Sequence, residues 1–96
     1  MKEFYELSRM DLDEEVRWGF FSKPEKLIEE IIDYLDDQEI EGPKDFIEIN
    51  RLIIIRDIMN LKNYDQTKKE LNLQLPEEKP YEKEELLFTI RKFYLD

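Results

Sequence analysis

The segment that follows Pro24 combines apolar and acidic residues with a helical period, and this limits where it can lie in a fold. Ser22, Pro24 and Glu25 fit the start of a helix, because Ser22 and Glu25 form a capping box and proline is favoured in the first turn. One side of this helix carries the apolar residues Leu27, Ile28, Ile31, Ile32 and Leu35. The sequence therefore predicts a helix over about 23–37 that buries one face against a core.

The opposite side of this helix and the loop after it are acidic. Between Leu27 and Pro43 there is no basic residue and there are seven carboxylates, namely Glu29, Glu30, Asp33, Asp36, Asp37, Glu39 and Glu41. Residues 22–45 carry a net charge of −6 (three lysines against nine acids), out of −10 for the whole chain. Acids near the C-terminal end of a helix oppose its dipole, which favours a functional reason for them.

The residues before Ser22 have the alternation of strands. Val16, Trp18 and Phe20 alternate with polar or small residues, which predicts an antiparallel pair over about 3–9 and 15–21. The competing interpretation is a single helix over about 11–21, since Asp11 and Glu14 also form a capping box. Gly19 and the direct join to the capped helix favour the strands.

The second half of the chain has mostly helical spacing. Glu41-Gly42-Pro43 is a strong breaker, and the apolar residues from Phe46 to Leu61 cover most sides of a helix of about 17 residues. Such a helix is usually central and buried. Asp65 is predicted to cap a short helical turn through Leu71. The final segment, about 81–95, is predicted to be a helix that docks on the core, with a strand as the lesser option.

These elements predict one domain over residues 1–96 with an α+β fold, in which an N-terminal β-hairpin is followed by three or four helices. The alternative is an all-α bundle of four or five helices. Charged residues make up 42% of the chain, far above the usual value of about 25%. Twelve aromatic residues nevertheless argue against disorder, because disordered chains contain few aromatics.

Composition excludes several classes of chemistry. The chain has no Cys and no His, so disulfides, thiolate or Ser-His catalysis and Cys- or His-ligated metals are ruled out. Two glycines cannot form a phosphate-binding loop. The acidic turn at 11–15 fails as a calcium loop, because Val16 and Ser22 stand where a Gly and a Glu are needed. We expect no enzyme activity, no cofactor and no bound metal.

The apolar runs and the basic residues bear on location and on nucleic-acid binding. No signal peptide is visible and the longest aliphatic run, Leu52–Ile55, is too short for a membrane span, so we expect a cytoplasmic protein without membrane contact. Direct nucleic-acid binding needs a basic patch. The nearest candidate lies over residues 51–69 and contains Arg51, Arg56, Lys62, Lys68 and Lys69. Arg51 and Arg56 flank the buried apolar run, so these cations are predicted instead to extend from the core edge or to pair with the acidic helix.

The acidic run favours a binding protein over an enzyme. We expect a small non-enzymatic inhibitor of a basic protein, of the immunity, antitoxin or phage anti-defence type, whose partner is a nuclease or another nucleic-acid-binding protein. Carboxylates in a row can also mimic a nucleic acid. The predicted partner-binding residues are the seven carboxylates with Trp18, an aromatic anchor if it is exposed and a core residue otherwise. The alternative is an accessory subunit or homodimer that docks through an aromatic or Ile-rich face.

Overall fold

The computed structural model describes residues 2–11, 13–62, 68–74 and 85–95. The elements follow in the order β1 (Lys2–Asp11), β2 (Glu14–Phe21), α1 (Pro24–Asp37), α2 (Glu41–Ile49), α3 (Arg51–Met59), β3 (Lys69–Gln74) and β4 (Glu85–Leu95). The four strands form one sheet in the order β2-β1-β4-β3, with every neighbouring pair antiparallel. The predicted α+β fold is confirmed, and the all-α bundle is wrong.

The N-terminal hairpin is formed as predicted. Strand β1 pairs with β2 from Tyr5 opposite Phe21 to Asp11 opposite Glu14, so a helix over 11–21 is excluded. The register shifts between Leu7 and Ser8, where β2 carries one residue more than β1. That extra residue is Trp18, which has no partner across the ladder.

Helix α1 has the predicted extent and buried face, but its start differs in detail. Lys23 is the N-cap residue and makes no side-chain hydrogen bond to the helix, so the prediction that Ser22 caps it is wrong. Pro24 occupies the first turn, where its missing N–H costs nothing. Four of the predicted apolar residues are fully buried in the core, namely Leu27, Ile28, Ile31 and Leu35.

The helix predicted after Pro43 is two helices, and it is not central. Helix α2 begins at Glu41, so Gly42 and Pro43 lie in its first turn rather than before it. Asn50 ends α2 and begins α3, and its side-chain amide donates to the Phe46 carbonyl at 2.9 Å. Asparagine often bonds to the local backbone in this way and so favours helix ends. Ile47, Ile54 and Ile58 are buried, whereas one side of both helices faces solvent.

The helices predicted near the C-terminus are wrong. Residues 69–74 form β3 and residues 85–95 form β4, while Asp65 and residues 81–84 lie outside the described residues. Strand β4 is central and carries apolar residues on both faces, so Leu86, Leu87 and Ile90 also satisfy a helical spacing. Pairing with β1 and β3 decides in favour of the strand.

Helices α1 and α3 pack on one face of the sheet, and α2 packs against these two helices. The core between the helices and the sheet contains Leu7, Phe88 and Ile90, all fully buried. On the same face, Lys92 Nζ donates to the Met59 carbonyl at 2.7 Å and so holds the end of α3 on the central strand. Burial raises the pKa of the neighbouring Tyr5 hydroxyl, although the charge of Lys92 opposes this. No helix in the described ranges is both long and apolar enough to cross a bilayer.

Candidate partner-binding groove

The predicted acidic residues lie on one continuous surface. Five of them are on α1, Glu39 lies in the loop after it, and Glu41 opens α2. All except Glu29 are exposed. The helical period places Glu30, Asp33 and Asp37 in one stripe along α1, since they are three and four residues apart.

Two of the seven carboxylates are neutralised by cations from elsewhere in the chain. Glu29 lies 3.4 Å from the Lys26 ammonium and 3.5 Å from the Arg51 guanidinium. Asp36 accepts a hydrogen bond from Lys44 at 2.8 Å, and this bond raises the pKa of Lys44. The predicted pairing of a basic residue of the second half with the acidic helix is therefore confirmed for Arg51. Lys26 and Lys44 are already counted in the net charge of residues 22–45, so of these three cations Arg51 alone reduces the excess further.

Three of the remaining five carboxylates border a groove. Within the described part of the chain, no ion pair involves Glu30, Asp33 or Asp37. All three line an open groove of about 420 Å³ between β2 and α1. The described residues that line it are Arg17, Trp18, Glu30, Asp33, Tyr34 and Asp37.

Trp18 forms the aromatic wall of this groove. Its ring meets Tyr34 edge-on with centroids 4.9 Å apart, and it meets Phe88 with centroids 5.1 Å apart. Because Trp18 is the extra residue of the bulge, the local twist of β2 directs it toward α1. Trp18 packs on the core and remains partly exposed in the groove. Its role as an aromatic anchor for a partner stays a prediction.

Tyr34 is held from behind by a basic residue of β1. Arg9 Nη1 donates to the Tyr34 hydroxyl at 3.0 Å, and the guanidinium carbon lies 5.6 Å from the ring centroid. Arg9 Nε is buried and has no hydrogen-bond partner among the described residues. This arrangement fixes the Tyr34 ring beside Trp18, so the aromatic wall is formed before any ligand arrives.

Among the described residues of the lining, Arg17 is the one cation, and its guanidinium makes its contacts on the other side of the strand. Its Nε donates to Glu6 at 3.0 Å, and its guanidinium carbon lies 4.7 Å from the Phe20 centroid. Three carboxylates against this one guanidinium leave the groove net negative. An aromatic wall beside carboxylates is suited to a cationic side chain, through cation–π attraction and ion pairing together.

Sequence reasoning missed Tyr34, Arg17 and Arg9 as parts of this site. Tyr34 had one usable signal, because it is the aromatic residue on α1 that directly follows Asp33 and lies one turn after Glu30. Arg9 and Arg17 had none, because their roles depend on the strand pairing. Of the predicted residues, Glu30, Asp33, Asp37 and Trp18 come together, whereas Glu29, Asp36, Glu39 and Glu41 are not part of the groove lining.

Among the residues that the structure describes, no group of three or more carboxylates is placed to hold a metal ion. Comparisons of the chain with protein-family models, with curated proteins and with solved structures gave no match.

Proposed function

We propose that this chain is a non-enzymatic binding protein of the cytoplasm that neutralises a basic partner protein by holding a cationic side chain in the groove between β2 and α1. The observation that carries the proposal is the meeting of three unpaired carboxylates with the Trp18–Tyr34 wall. The wall supplies contact area and cation–π attraction, while the carboxylates supply charge complementarity.

The remaining acids act at longer range. The net charge of −10 and the exposed carboxylates at Asp36, Glu39 and Glu41 would steer a basic surface toward the groove and raise the association rate. A basic surface of this kind on a nuclease or another nucleic-acid-binding protein normally contacts phosphates. Occupying it with carboxylates would block that contact, so the protein would act as an inhibitor and as a mimic of nucleic acid. It would bind neither nucleic acid nor membrane itself.

Trp18 provides a direct test, because it is the only tryptophan of the chain and lies in the groove. The probe is a short oligo-arginine peptide, titrated while the Trp18 fluorescence is recorded. We expect saturable binding that weakens at least tenfold between about 0.05 M and 0.5 M salt, because ion pairs at the surface are screened. The D33K/D37K variant should bind at least tenfold more weakly at low salt.

A matched control separates the groove from total charge. The D13K/E14K variant makes the same change in net charge at exposed residues of the β1–β2 turn, outside the groove lining. It should retain at least about half of the wild-type affinity at 0.15 M salt, where charges separated by more than about 8 Å are largely screened. Equal loss in both variants would show that only the net charge matters, and the groove proposal would then fail.

The second test concerns the inhibitor role. Immobilised protein should retain a basic protein from the native host, and about 0.5 M salt should release it. Double-stranded DNA added in excess should compete for that partner if the two ligands share its basic surface. Retention of the same partner by D33K/D37K would contradict the proposal.

The alternative function, an accessory subunit or homodimer, is supported by a different observation. Helices α2 and α3 expose large apolar residues, including Ile49 and Leu52, which are both 82% exposed. These exposed residues are not part of the groove lining, and they support docking through an Ile-rich face as a separate function.

A further inference from the structure

Helices α2 and α3 share an exposed apolar surface, here called the α2–α3 patch. It consists of Phe46 (52% exposed), Ile49 (82%), Leu52 (82%), Ile53 (51%) and Met59 (52%). All five lie within fourteen residues of sequence, and the successive pairs from Phe46 to Ile53 are separated by one to three positions. Isolated exposed apolar residues are ordinary on a protein surface, but a contiguous group usually marks an interface.

The size of the patch matches an interface between whole proteins. If a fully exposed large side chain presents about 200 Å², the five exposed fractions correspond to about 600 Å² of mostly apolar surface. A stable interface buries about 800 Å² on each partner, of which roughly 60% is apolar. The patch therefore provides enough apolar area for a stable dimer without the help of any other surface.

Charge is distributed unevenly along the same two helices. Helix α2 exposes Asp45 and Glu48, and no ion pair reaches either within the described ranges. Helix α3 exposes Arg56, whose side chain is 69% exposed and whose nearest carboxylate is that of the adjacent Asp57 at 3.9 Å. The α2 part of the surface is thus acidic and the α3 part carries a cation, with Ile49, Leu52 and Ile53 between Glu48 and Arg56 in the sequence.

We propose that the α2–α3 patch binds a second copy of this chain in a two-fold symmetric dimer. A two-fold axis brings each surface against itself in the reversed direction. Helix α2 of one copy then packs antiparallel to α3 of the other, with Ile49 against Leu52 at the centre. Arg56 of each copy lies beside Asp45 and Glu48 of the other, so the uneven charge becomes complementary in the dimer. This inference does not depend on the groove, which uses other residues.

The first experiment measures the oligomeric state by sedimentation equilibrium. We expect the wild-type chain to be a dimer at about 100 μM and L52E to be a monomer. The control is V16E, which changes another exposed apolar residue, 42% exposed on β2, and should remain a dimer. Both positions are exposed, so circular dichroism should report an unchanged fold. A monomeric wild type, or a dimer that survives L52E, would overturn the proposal.

The second experiment tests the two-fold geometry itself. The dimer dissociation constant of R56E alone, and that of D45K/E48K alone, should each be at least tenfold higher than that of the wild type. The reason is that like charges then meet across the two-fold axis. An equimolar mixture of the two variants should form mixed dimers, in which both contacts again pair opposite charges. Native mass spectrometry distinguishes the three species. A statistical mixture of homodimers and mixed dimers, or no recovery of dimer, would contradict the antiparallel arrangement.

Discussion

Glu6 is a charged residue at a sheet position that is only 3% exposed, on the face opposite the helices. It is accommodated because two guanidinium groups contact it, Arg17 at 3.0 Å and Arg91 at 3.6 Å. Arg91 also donates a hydrogen bond to Glu15. Phe20 packs edge-on against Phe93 beside this network, with centroids 5.4 Å apart. The long side chains of these arginines and phenylalanines thus cover the Glu6 carboxylate on the sheet face that the three helices do not cover.

This network predicts a pH-dependent contribution from one carboxylate. The hydrogen bond from Arg91 holds the pKa of Glu15 below its ordinary value of 4.5. A lowered folded-state pKa stabilises the protein above the unfolded-state pKa, and the effect disappears as the pH falls through the folded-state value. The Glu15 side chain is 34% exposed, so E15Q should lower the free energy of unfolding by only about 0.5 kcal/mol at pH 7.

Urea denaturation between pH 7 and pH 3 checks this prediction. The difference between wild type and E15Q should persist down to about pH 5 and shrink as the pH falls further. E14Q is the control, because Glu14 is exposed and makes no ion pair within the described residues. A difference that grows toward acid pH would contradict the assigned sign.

At the scale of single residues, the sequence shows where the acidic residues lie but not which cations pair with them. The carboxylates and Trp18 are visible as residue types, and the helical period placed Glu30, Asp33 and Asp37 on one face. The pairing of Arg51 with Glu29 depends on how α3 packs against α1, and local spacing contains no information on that packing.

At the scale of elements, the end of α1 is set by a backbone motif that places a strained residue among the acids. The Ile40 N–H donates to the Leu35 carbonyl at 2.9 Å, and the Glu39 N–H donates to the Asp36 carbonyl at 3.0 Å. These two bonds form a Schellman motif, whose left-handed position normally carries glycine. Here it carries Glu39, with φ of 56°. Any residue with a Cβ is disfavoured at that position.

We therefore predict that E39G stabilises the protein. Removal of the Cβ relieves the left-handed strain and should raise the free energy of unfolding by about 0.5–1 kcal/mol, which is a rise of about 2–8 °C in Tm for a chain of this size. E39A is the matched control, because it removes the same carboxylate and keeps the Cβ. Thermal denaturation should rank E39G above E39A. If both variants gain equally, the gain comes from reduced charge repulsion and the backbone argument is wrong.

The wrong predictions at this scale have one physical cause. Helical and strand spacings differ clearly only when one face is apolar, and β4 also carries Leu87 and Phe93 on the face away from the helices. The run from Leu52 to Ile55 likewise shows no polar face in the sequence. It therefore predicted burial on all sides, whereas Leu52 is exposed. The hairpin and α1 were predictable because each has one polar face and one apolar face.

At the scale of the whole molecule, the centre of the sheet joins the two ends of the described chain. Strand β1 pairs with β4 from Lys2 opposite Leu95 to Arg9 opposite Phe88. The residues of β1 and β4 that face each other are separated by about eighty to ninety residues in the sequence. The chain must close a loop of that length before the two strands can pair. No local pattern encodes it, which is why the position of β4 could not be predicted. Chains rich in such contacts fold slowly.

The same geometry predicts that a rearranged chain order folds faster. We consider a circular permutant in which an Asn-Gly turn joins residues 95 and 2 and the chain is opened between Gln38 and Glu39. Lys2 and Leu95 are direct partners, so a two-residue turn can connect them. The strands then follow one another as β3, β4, β1 and β2, which is their order in the sheet. Every strand pairing becomes a pairing of consecutive strands.

Stopped-flow refolding should show this permutant folding about tenfold faster than the parent chain, with the same circular dichroism spectrum. The control has the same turn but is opened between Asp13 and Glu14. It makes the β1–β4 pairing local while making the β1–β2 pairing distant, so it should gain little. If the first permutant folds no faster than the parent chain, the pairing of the chain ends does not limit folding. If it folds faster than both the parent and the control, a distant strand pairing is the slow step, because the parent keeps β1–β4 distant and the control keeps β1–β2 distant.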